Sequence, residues 1–571
     1  MILQALTRYY EDLCDQGKIA KPGWSKTKIS YALCINERGE LEQVIPLLED
    51  TGGKKPQPQQ FDLPAPVKRT AGIAANFLWD NSGYLLGADA KGKPDRSLKC
   101  FEASRALHHR VLDAAESVAA KAILSFFDAW EPEKAADHPA LKADHSAITA
   151  GANLLLRVNG RFAQEDREIQ NAWQTYYDRS EGEVRQCLVT GKDDTIEPVH
   201  PSIKGVDGAQ SSGAAIVSFN APAFCSYGQE QSYNAPVGKY AAFAYTSALN
   251  YLLADRENVQ KIGDATVVCW AEGAEPQYQA FTFAALFGPR DDGIREDDLR
   301  DAVRKLAEGK PVPERSLDPD RRFYILGLSP NAARLSVRFF YQDSFGNLMK
   351  HVNAHHERME IVHGPKDYNV IPLWAMLRET VNPNSREKSA SPVLAGAVAR
   401  AIFTGGLYPA ALLEQTMLRI RAQRGINRGK AAIIKAYYLR NPNEGCPKEV
   451  LTVALNEAST NPAYTLGRLF SVYEAVQEAA NPGINATIKD KYFNAAASTP
   501  ATIFPILDNL CQKHLRKLNA GSRIWYEKQI MALAGVLGEA YPAHLNLAQQ
   551  GSFNLGYYHQ TQKRYEKKED K

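Results

Sequence analysis

Asn76, Phe77, Trp79, Asn81 and Tyr84 stand close together in TAGIAANFLWDNSGYLLGADAKGK, residues 70–93, with Lys68 and Arg69 before them and Lys91 and Lys93 after. Amides can hydrogen-bond base edges, a ring can wedge between bases or stack on them, and flanking ammonium and guanidinium groups can hold phosphates. The ordinary reading of the same residues is a strand with its aromatics in the core and DNSG as a plain turn.

A second run is defined by what it lacks. From Met417 to Arg440, MLRIRAQRGINRGKAAIIKAYYLR carries Arg419, Arg421, Arg424, Arg428, Lys430, Lys435 and Arg440 and no acidic residue. Charge runs are usually solvated helix faces, but here the repulsion is unmatched locally, and a polyanion would relieve it. Each phosphate neutralised would release counterions.

Catalytic and metal-binding patterns are harder to find. Cys187 begins a CLVTG turn that resembles half of a zinc knuckle, yet no cysteine follows within four residues, and His200 and Cys225 lie at no recognised spacing. His351 and His355 sit four apart without the HExxH order and read as solvated helix histidines. The chain has no GxxxxGK[ST] loop, no GxGxxG between a strand and a helix, no HD dipeptide and no GxSxG elbow. A binding protein with no metal or cofactor is expected, not an enzyme.

The elements that must position these residues fall into two regimes. Residues 1–16 have helical spacing, GKIAKPGWSKTK reads as a basic loop carrying Lys26 and Lys28, and ISYALCINERGELEQVIPL reads as a hairpin turned at ERGE. GGKKPQPQQFDLPAPVKR, rich in Pro, Gly and Gln, reads as a long irregular surface loop. Helical patterns follow at 97–129, 138–157, 165–178 and 238–255, then a strand ATVVCWAE, an amphipathic helix IREDDLRDAVRKLAEGK, and a hairpin RRFYILGLSPNAARLSVRFFYQD. Beyond Leu373 the strand signals fade, and helices are expected at 391–403, 409–424, 428–440, 447–457, 462–480, 486–495, 500–518 and 522–540. The fold class expected is an α+β N-terminal part, with mixed helices and antiparallel strands or hairpins, followed by an all-α C-terminal helical bundle. Its expected domains are an α+β body at 1–372, a basic helical connector at 373–443 and the bundle at 444–571.

At 571 residues the chain calls for several domains, and its 44% hydrophobic and 23% charged residues suit a globular protein. The net charge of +3 says little, because a neutral total can hide local stripes. Eight cysteines without a CxxC pair favour a reducing compartment, and the N-terminus lacks the apolar centre of a secretory leader. The apolar uncharged run Tyr240 to Ala254 is too short for a bilayer span and reads as a buried helix.

Taken in order, several segments resemble one family, the large subunit of the type I-C CRISPR surveillance complex, Cascade. They are MILQALTRYYEDL, NFLWDNSGYLLG, CLVTG, HPSIKGVDGAQSSGAAIVSFNAPAFCSYGQEQSYNAPVG, TVVCWAE, LGRLFSVYEAVQEAA and FNLGYYHQ, and they span essentially the whole chain. The resemblance implies a cytoplasmic, non-catalytic subunit that sits beside the 5′ end of the guide RNA and inspects the protospacer-adjacent motif on double-stranded DNA. It also implies help with duplex opening and R-loop formation, and with recruiting the helicase-nuclease that cuts. The implied partners are the guide RNA, the target DNA, the Cascade backbone and handle-processing subunits, and a small helical subunit made from an internal start, with no membrane. On this view Lys26, Lys28, Asn76 and Asn81 form the motif reader with Phe77 or Trp79 as a wedge, and the Arg419–Arg440 stripe holds the displaced strand. The Gly/Ser-rich block at 187–220 becomes a contact surface in which backbone N–H groups approach anions, helped by Lys192 and Lys204. The competing readings are an assembly scaffold that reads no DNA and a stand-alone nuclease.

Overall fold

A computed structural model describes residues 1–49, 57–67, 72–90, 94–179, 182–288, 295–365, 367–386 and 388–565. Lys68, Arg69, Lys91 and Lys93 lie outside the described residues. The chain forms two compact units, one of Met1–Pro201 with Val217–Ala248, the other of Ser202–Ile216 with Leu249–Lys571. Among the described residues, no helix is long and apolar enough to cross a membrane.

The first unit begins with α1 (Ile2–Asp15), which buries Leu6, Tyr9, Tyr10 and Leu13 along one stripe. Eight strands follow: β1 (Trp24–Ile29), β2 (Tyr31–Ile35), β3 (Leu41–Pro46), β4 (Leu48–Glu49), β5 (Gln57–Pro64), β6 (Trp79–Asn81), β7 (Asn153–Val158) and β8 (Arg161–Phe162). Its helices are α2 (Ser82–Leu85), α3 (Pro94–Leu112), α4 (Val118–Ala129), α5 (His145–Thr149), α6 (Arg167–Asp178) and the first part of α7 (Lys239–Ala254). A small hairpin pairs β9 (Val184–Gln186) with β10 (Asp193–Thr195). The main sheet has the order β3-β2-β7-β6, with β8 pairing β7, and a separate sheet runs β1-β5-β4.

Two expectations for this unit are corrected. The helix read at 138–157 is instead one short 3-10 turn (Pro139–Leu141), the five-residue α5 and strand β7, which runs parallel to β2 from Tyr31↔Leu154 to Ile35↔Val158. Leu154, Leu155 and Leu156 are all fully buried because the two faces of this central strand are both covered. A strand buried on both faces shows an unbroken apolar run, which periodicity cannot tell from a buried helix. Each such leucine contributes about 2 kcal/mol of burial. The second correction concerns GWSKTK and the Pro/Gln stretch, read as loops. They are β1 and β5, antiparallel partners from Trp24↔Pro64 to Ile29↔Gln59. A ribbon tolerates proline at its ends and edges, so composition alone hid the strand.

The second unit is built on the sheet β11 (Gln260–Ile262), β12 (Ala265–Ala271), β13 (Arg322–Asn331) and β14 (Arg334–Ser344), all antiparallel. The expected hairpin between β13 and β14 is present. Its helices are α8 (Gln277–Phe287), α9 (Glu296–Ala307), α10 (Phe345–Met359), α11 (Leu373–Arg378), α12 (Pro392–Thr404), α13 (Ala410–Gln423), α14 (Arg428–Arg440), α15 (Pro462–Ala480), α16 (Ile488–Ser498), α17 (Pro500–Leu515), α18 (Ala520–Leu537) and α19 (Leu547–Lys563). The N-terminal part thus mixes helices with largely antiparallel sheets, and the C-terminal part is helical. One apolar cluster runs through the second unit, joining strand residues such as Val267 to Met417 of α13, Ile434 of α14 and Phe553 of α19.

The helix expected at 447–457 is only a 3-10 turn, Lys448–Val450, with Val450 and Leu451 pinned in the core. In turn α19 was not foreseen, because it is buried almost all round and has no polar face for the helical period to reveal. It packs on α15 with backbones nearly touching. A Cβ on Gly467 would lie 2.0 Å from the Phe553 carbonyl oxygen, and one on Gly556 would lie 2.1 Å from that of Tyr464. Only glycine permits this approach.

Candidate nucleic-acid interface

The β1–β5 ribbon has one covered face and one open face. Ile29 and Leu63 join an apolar cluster with Trp79 and Leu155, and Phe61 lies against Phe162 with ring centroids 4.9 Å apart. Alternation along the strands puts Lys26 and Lys28 on the other face, directly across from Asp62 and Gln60, and all four are exposed. Neither lysine forms an ion pair among the described residues. The result is a ribbon surface of two cations, an amide and a carboxylate. Gln60 was missed because its segment was read as irregular.

The foot of the ribbon is fixed by residues that sequence had offered as readers. The Trp79 indole N–H donates to the Pro64 carbonyl at 2.8 Å, and the Asn76 side-chain oxygen accepts from the Val67 amide at 2.9 Å. Trp173 donates its indole N–H to the Gly23 carbonyl at 2.9 Å, and Gly23, at φ +82°, leaves no room for a Cβ beside the Tyr177 ring. Asn153 donates to the Lys28 carbonyl at 3.1 Å. β1 and β5 are therefore tied to the core at both strands.

This corrects the expected wedge and half of the expected reader. Phe77 is fully buried, stacked on Trp173 at 5.2 Å with an interplanar angle of 10°. Trp79 and Asn76 are 5% and 3% exposed, too deep to meet a base. Asn81 caps α2, its side-chain oxygen accepting from Gly83 at 3.1 Å. These side chains fill the core or satisfy backbone groups, because the NFLWDN turn is itself buried and its N–H groups need partners. Of that set Lys26 and Lys28 are exposed, and Asn81 is half-buried.

The basic run of 417–440 is also corrected, as most of its donors turn inward. Lys430 is buried and pairs with Glu379 at 3.3 Å, while its ammonium also donates to Gln423 at 2.6 Å. Lys435 is buried and donates to the carbonyls of Glu357 and Arg358 at the C-terminal end of α10; burial pushes its pKa down to about 8. Arg428 bonds the carbonyls of Tyr368 and Asn369, and Arg440 that of Gly406 at 2.8 Å. Arg421 donates to Gln550 at 2.8 Å and Arg424 to the Asp490 carbonyl at 2.6 Å, and Arg419 is half-buried. The missing acid was Glu379, which sequence could not bring to Lys430.

In the Gly/Ser-rich block, Lys192 and Lys204 are exposed, the first on the hairpin of the first unit and the second in the other unit. The Lys204 amide is held by Asn250 at 2.8 Å. Cys187 is buried; burial raises its pKa, but hydrogen bonds from the backbone of Gly238, Thr190 and Val189 outweigh this and leave the thiol below its usual value. His200 is buried and bonded to the Tyr245 hydroxyl at 2.6 Å. His351 and His355, expected in solvent, bond the Phe403 carbonyl and the Tyr408 hydroxyl, and His355 is buried.

One exposed aromatic went unnoticed. Tyr227 is fully exposed at φ +52°, on a loop pinned by Asn234, which accepts from the Ser226 amide at 2.8 Å and donates to the carbonyls of Gln229 and Gln231. The turn-forming Gly228, Ser232 and Asn234 in SYGQEQSYN were its only signal.

The fold and this interface define a large α+β protein that offers a polar β-ribbon to solvent. The family model described as CRISPR-associated protein (Cas_Csd1) matches residues 6–565, and the chain belongs to that family of CRISPR-associated proteins. Comparison with curated proteins finds no match.

Proposed function

We propose that this protein is the large subunit of a type I-C Cascade complex and reads the protospacer-adjacent motif on double-stranded DNA through the open face of β1 and β5. The observation that carries this reading is the juxtaposition of Lys26 and Lys28 with Gln60 and Asp62 on one exposed ribbon. The major groove of B-DNA admits a two-stranded ribbon, where lysine can meet guanine, glutamine adenine, and a carboxylate the amino group of cytosine. The guide RNA then supplies the rest of the sequence by pairing.

In this role the subunit contacts the 5′ end of the guide, promotes opening of the duplex and formation of the R-loop, and helps recruit the helicase-nuclease. Covalent chemistry lies with that partner. Because Phe77 and Trp79 are packed inside, opening is assigned to seating of the ribbon and not to those rings. The handle-processing and backbone subunits and a small helical subunit equivalent to 444–571 complete the assembly. A place in an assembly is supported by α18, whose Ile524, Trp525, Met531 and Val536 are exposed.

The test compares an intact duplex target with one already melted. In the assembled complex, Lys26→Ala with Lys28→Ala, and separately Gln60→Ala, weaken binding to the duplex by about 1–3 kcal/mol per lost base contact and spare the melted target. Equal loss on both targets defeats the motif-reading role, and no loss on either favours a pure scaffold.

A further inference from the structure

The first unit has a second polar feature, apart from the ribbon. Between the C-terminal end of α3 and the outer side of α6 lies a cleft of about 950 Å³. Arg110 of α3, Arg179 just beyond α6 and Lys239 at the start of α7 line it together with Asn171, Thr175 and Tyr176. None of the three cations forms an ion pair among the described residues, and the Lys239 ammonium lies 5.6 Å from the centre of the Tyr177 ring.

The carboxylates of the cleft are engaged elsewhere. Glu168 accepts the backbone N–H groups of Glu116 and Ser117 at 2.8 and 2.9 Å, an arrangement that ties the start of α4 to α6. Asp113 is bonded to His109 at 2.9 Å, and His109 in turn reaches Asp128. Near Tyr177, Asp178 accepts from Gln174 and Asp194 from the Tyr240 amide. The acids thus serve the local framework, while among the described residues the three cations make no ion pair.

Pockets for small organic ligands are mostly apolar with a few polar groups. This cleft instead combines cations, an amide, a hydroxyl and an aromatic ring. That set matches an unpaired nucleic-acid strand, whose phosphates need cations and whose bases stack on aromatic faces in any sequence.

We propose that the α3–α6 cleft holds about three consecutive phosphates of a single strand, one for each of Arg110, Arg179 and Lys239, with a base on Tyr176. Asn171 and Thr175 face the sugar, where a 2′-hydroxyl distinguishes RNA from DNA. The proposal rests on the nucleic-acid role given above and adds a site distinct from the duplex-reading ribbon.

The experiment uses the full chain and fluorescent single-stranded RNA and DNA of mixed sequence, with binding followed by polarisation across a salt series. Replacing Arg110, Arg179 and Lys239 together by Gln is expected to flatten the plot of log affinity against log salt by roughly 2, at about 0.7 per phosphate contact. Tyr176→Ala weakens binding on the order of tenfold, and Tyr176→Phe restores it. Tighter binding of RNA, lost in Asn171→Ala, identifies the guide as the strand, whereas equal binding of both identifies displaced DNA. A triple variant with an unchanged melting temperature and the wild-type salt slope overturns the cleft proposal and leaves the ribbon reading intact. A wild-type chain that binds neither strand nor duplex overturns both.

Discussion

His108 accepts a hydrogen bond from the Leu78 amide at 3.0 Å through Nε2, and its Nδ1–H donates to the Ser104 carbonyl at 2.7 Å. The imidazole thereby links α3 to a residue held at φ +68°, in the left-handed region that leucine seldom occupies. Such backbone strain costs about 1–3 kcal/mol and persists only where the surroundings enforce it. Here the enforcement comes from the His108 bond, the fully buried Leu78 side chain and the stack of Phe77 on Trp173.

Removing that bond should expose the strain. His108→Ala leaves the Leu78 N–H unpaired and opens a cavity, and is expected to destabilise the first unit by about 3–5 kcal/mol. Hydrogen exchange at Leu78 should accelerate in step. His108→Gln, whose side-chain oxygen can accept the same N–H, should recover part of the protection; identical exchange in both variants would show the bond to be unimportant.

Acid should unfold this protein through its histidines. Burial pushes His108, His200, His356 and His559 down to about 4, and His355 well below its usual value. Each folded pKa lies below the unfolded value of about 6.5, so between these limits the unfolded chain binds more protons. Stability is therefore full above about pH 6.5 and is lost as pH falls toward 4, at up to about 1.4 kcal/mol per pH unit for each ring. His109, raised by its hydrogen bonds to Asp128 and Asp113, works in the opposite sense from the surface. The urea midpoint should drop between pH 7 and pH 5, and a constant midpoint would contradict the burial of neutral rings.

Trp79 offers a way to loosen the ribbon without touching its open face. Trp79→Phe keeps most of the packing but removes the bond to the Pro64 carbonyl, a loss of about 1 kcal/mol. Duplex binding by the assembled complex should weaken while its salt slope stays the same, since no phosphate contact is lost. A changed slope would mean that Trp79 acts on the nucleic acid more directly.

Glu379 and Lys430 form a mostly buried pair, with side chains 22% and 6% exposed. Glu379→Gln strands the ammonium and should destabilise the second unit by about 3 kcal/mol. Combining it with Lys430→Met should restore most of the loss, measured as a double-mutant cycle. Additive losses would show that the two side chains stabilise the protein independently.

Much of the architecture was legible because it repeats locally. The amphipathic α9, the β13–β14 hairpin and the run of helices α12 to α18 each announce themselves within a few turns or a few alternations, and their periods survive folding. Elements buried on every side, β7 and α19, lack a polar face and so carry no period to read. The ribbon strands were hidden by proline and glutamine, which are permitted because one face of the ribbon stays open.

Residue types and local order could thus be taken from the linear chain, including the α+β front, the helical rear and the lysines of β1. Tertiary structure alone decided which polar groups were free. It brought Glu379 to Lys430, drew Asn76 and Trp79 to the foot of the ribbon, set Gln60 across from Lys28, and left Arg110, Arg179 and Lys239 without an ion pair among the described residues. The reason is physical: a side chain's partners come from whatever segment packs beside it, and hydrogen bonds and ion pairs are satisfied in space without regard to sequence distance.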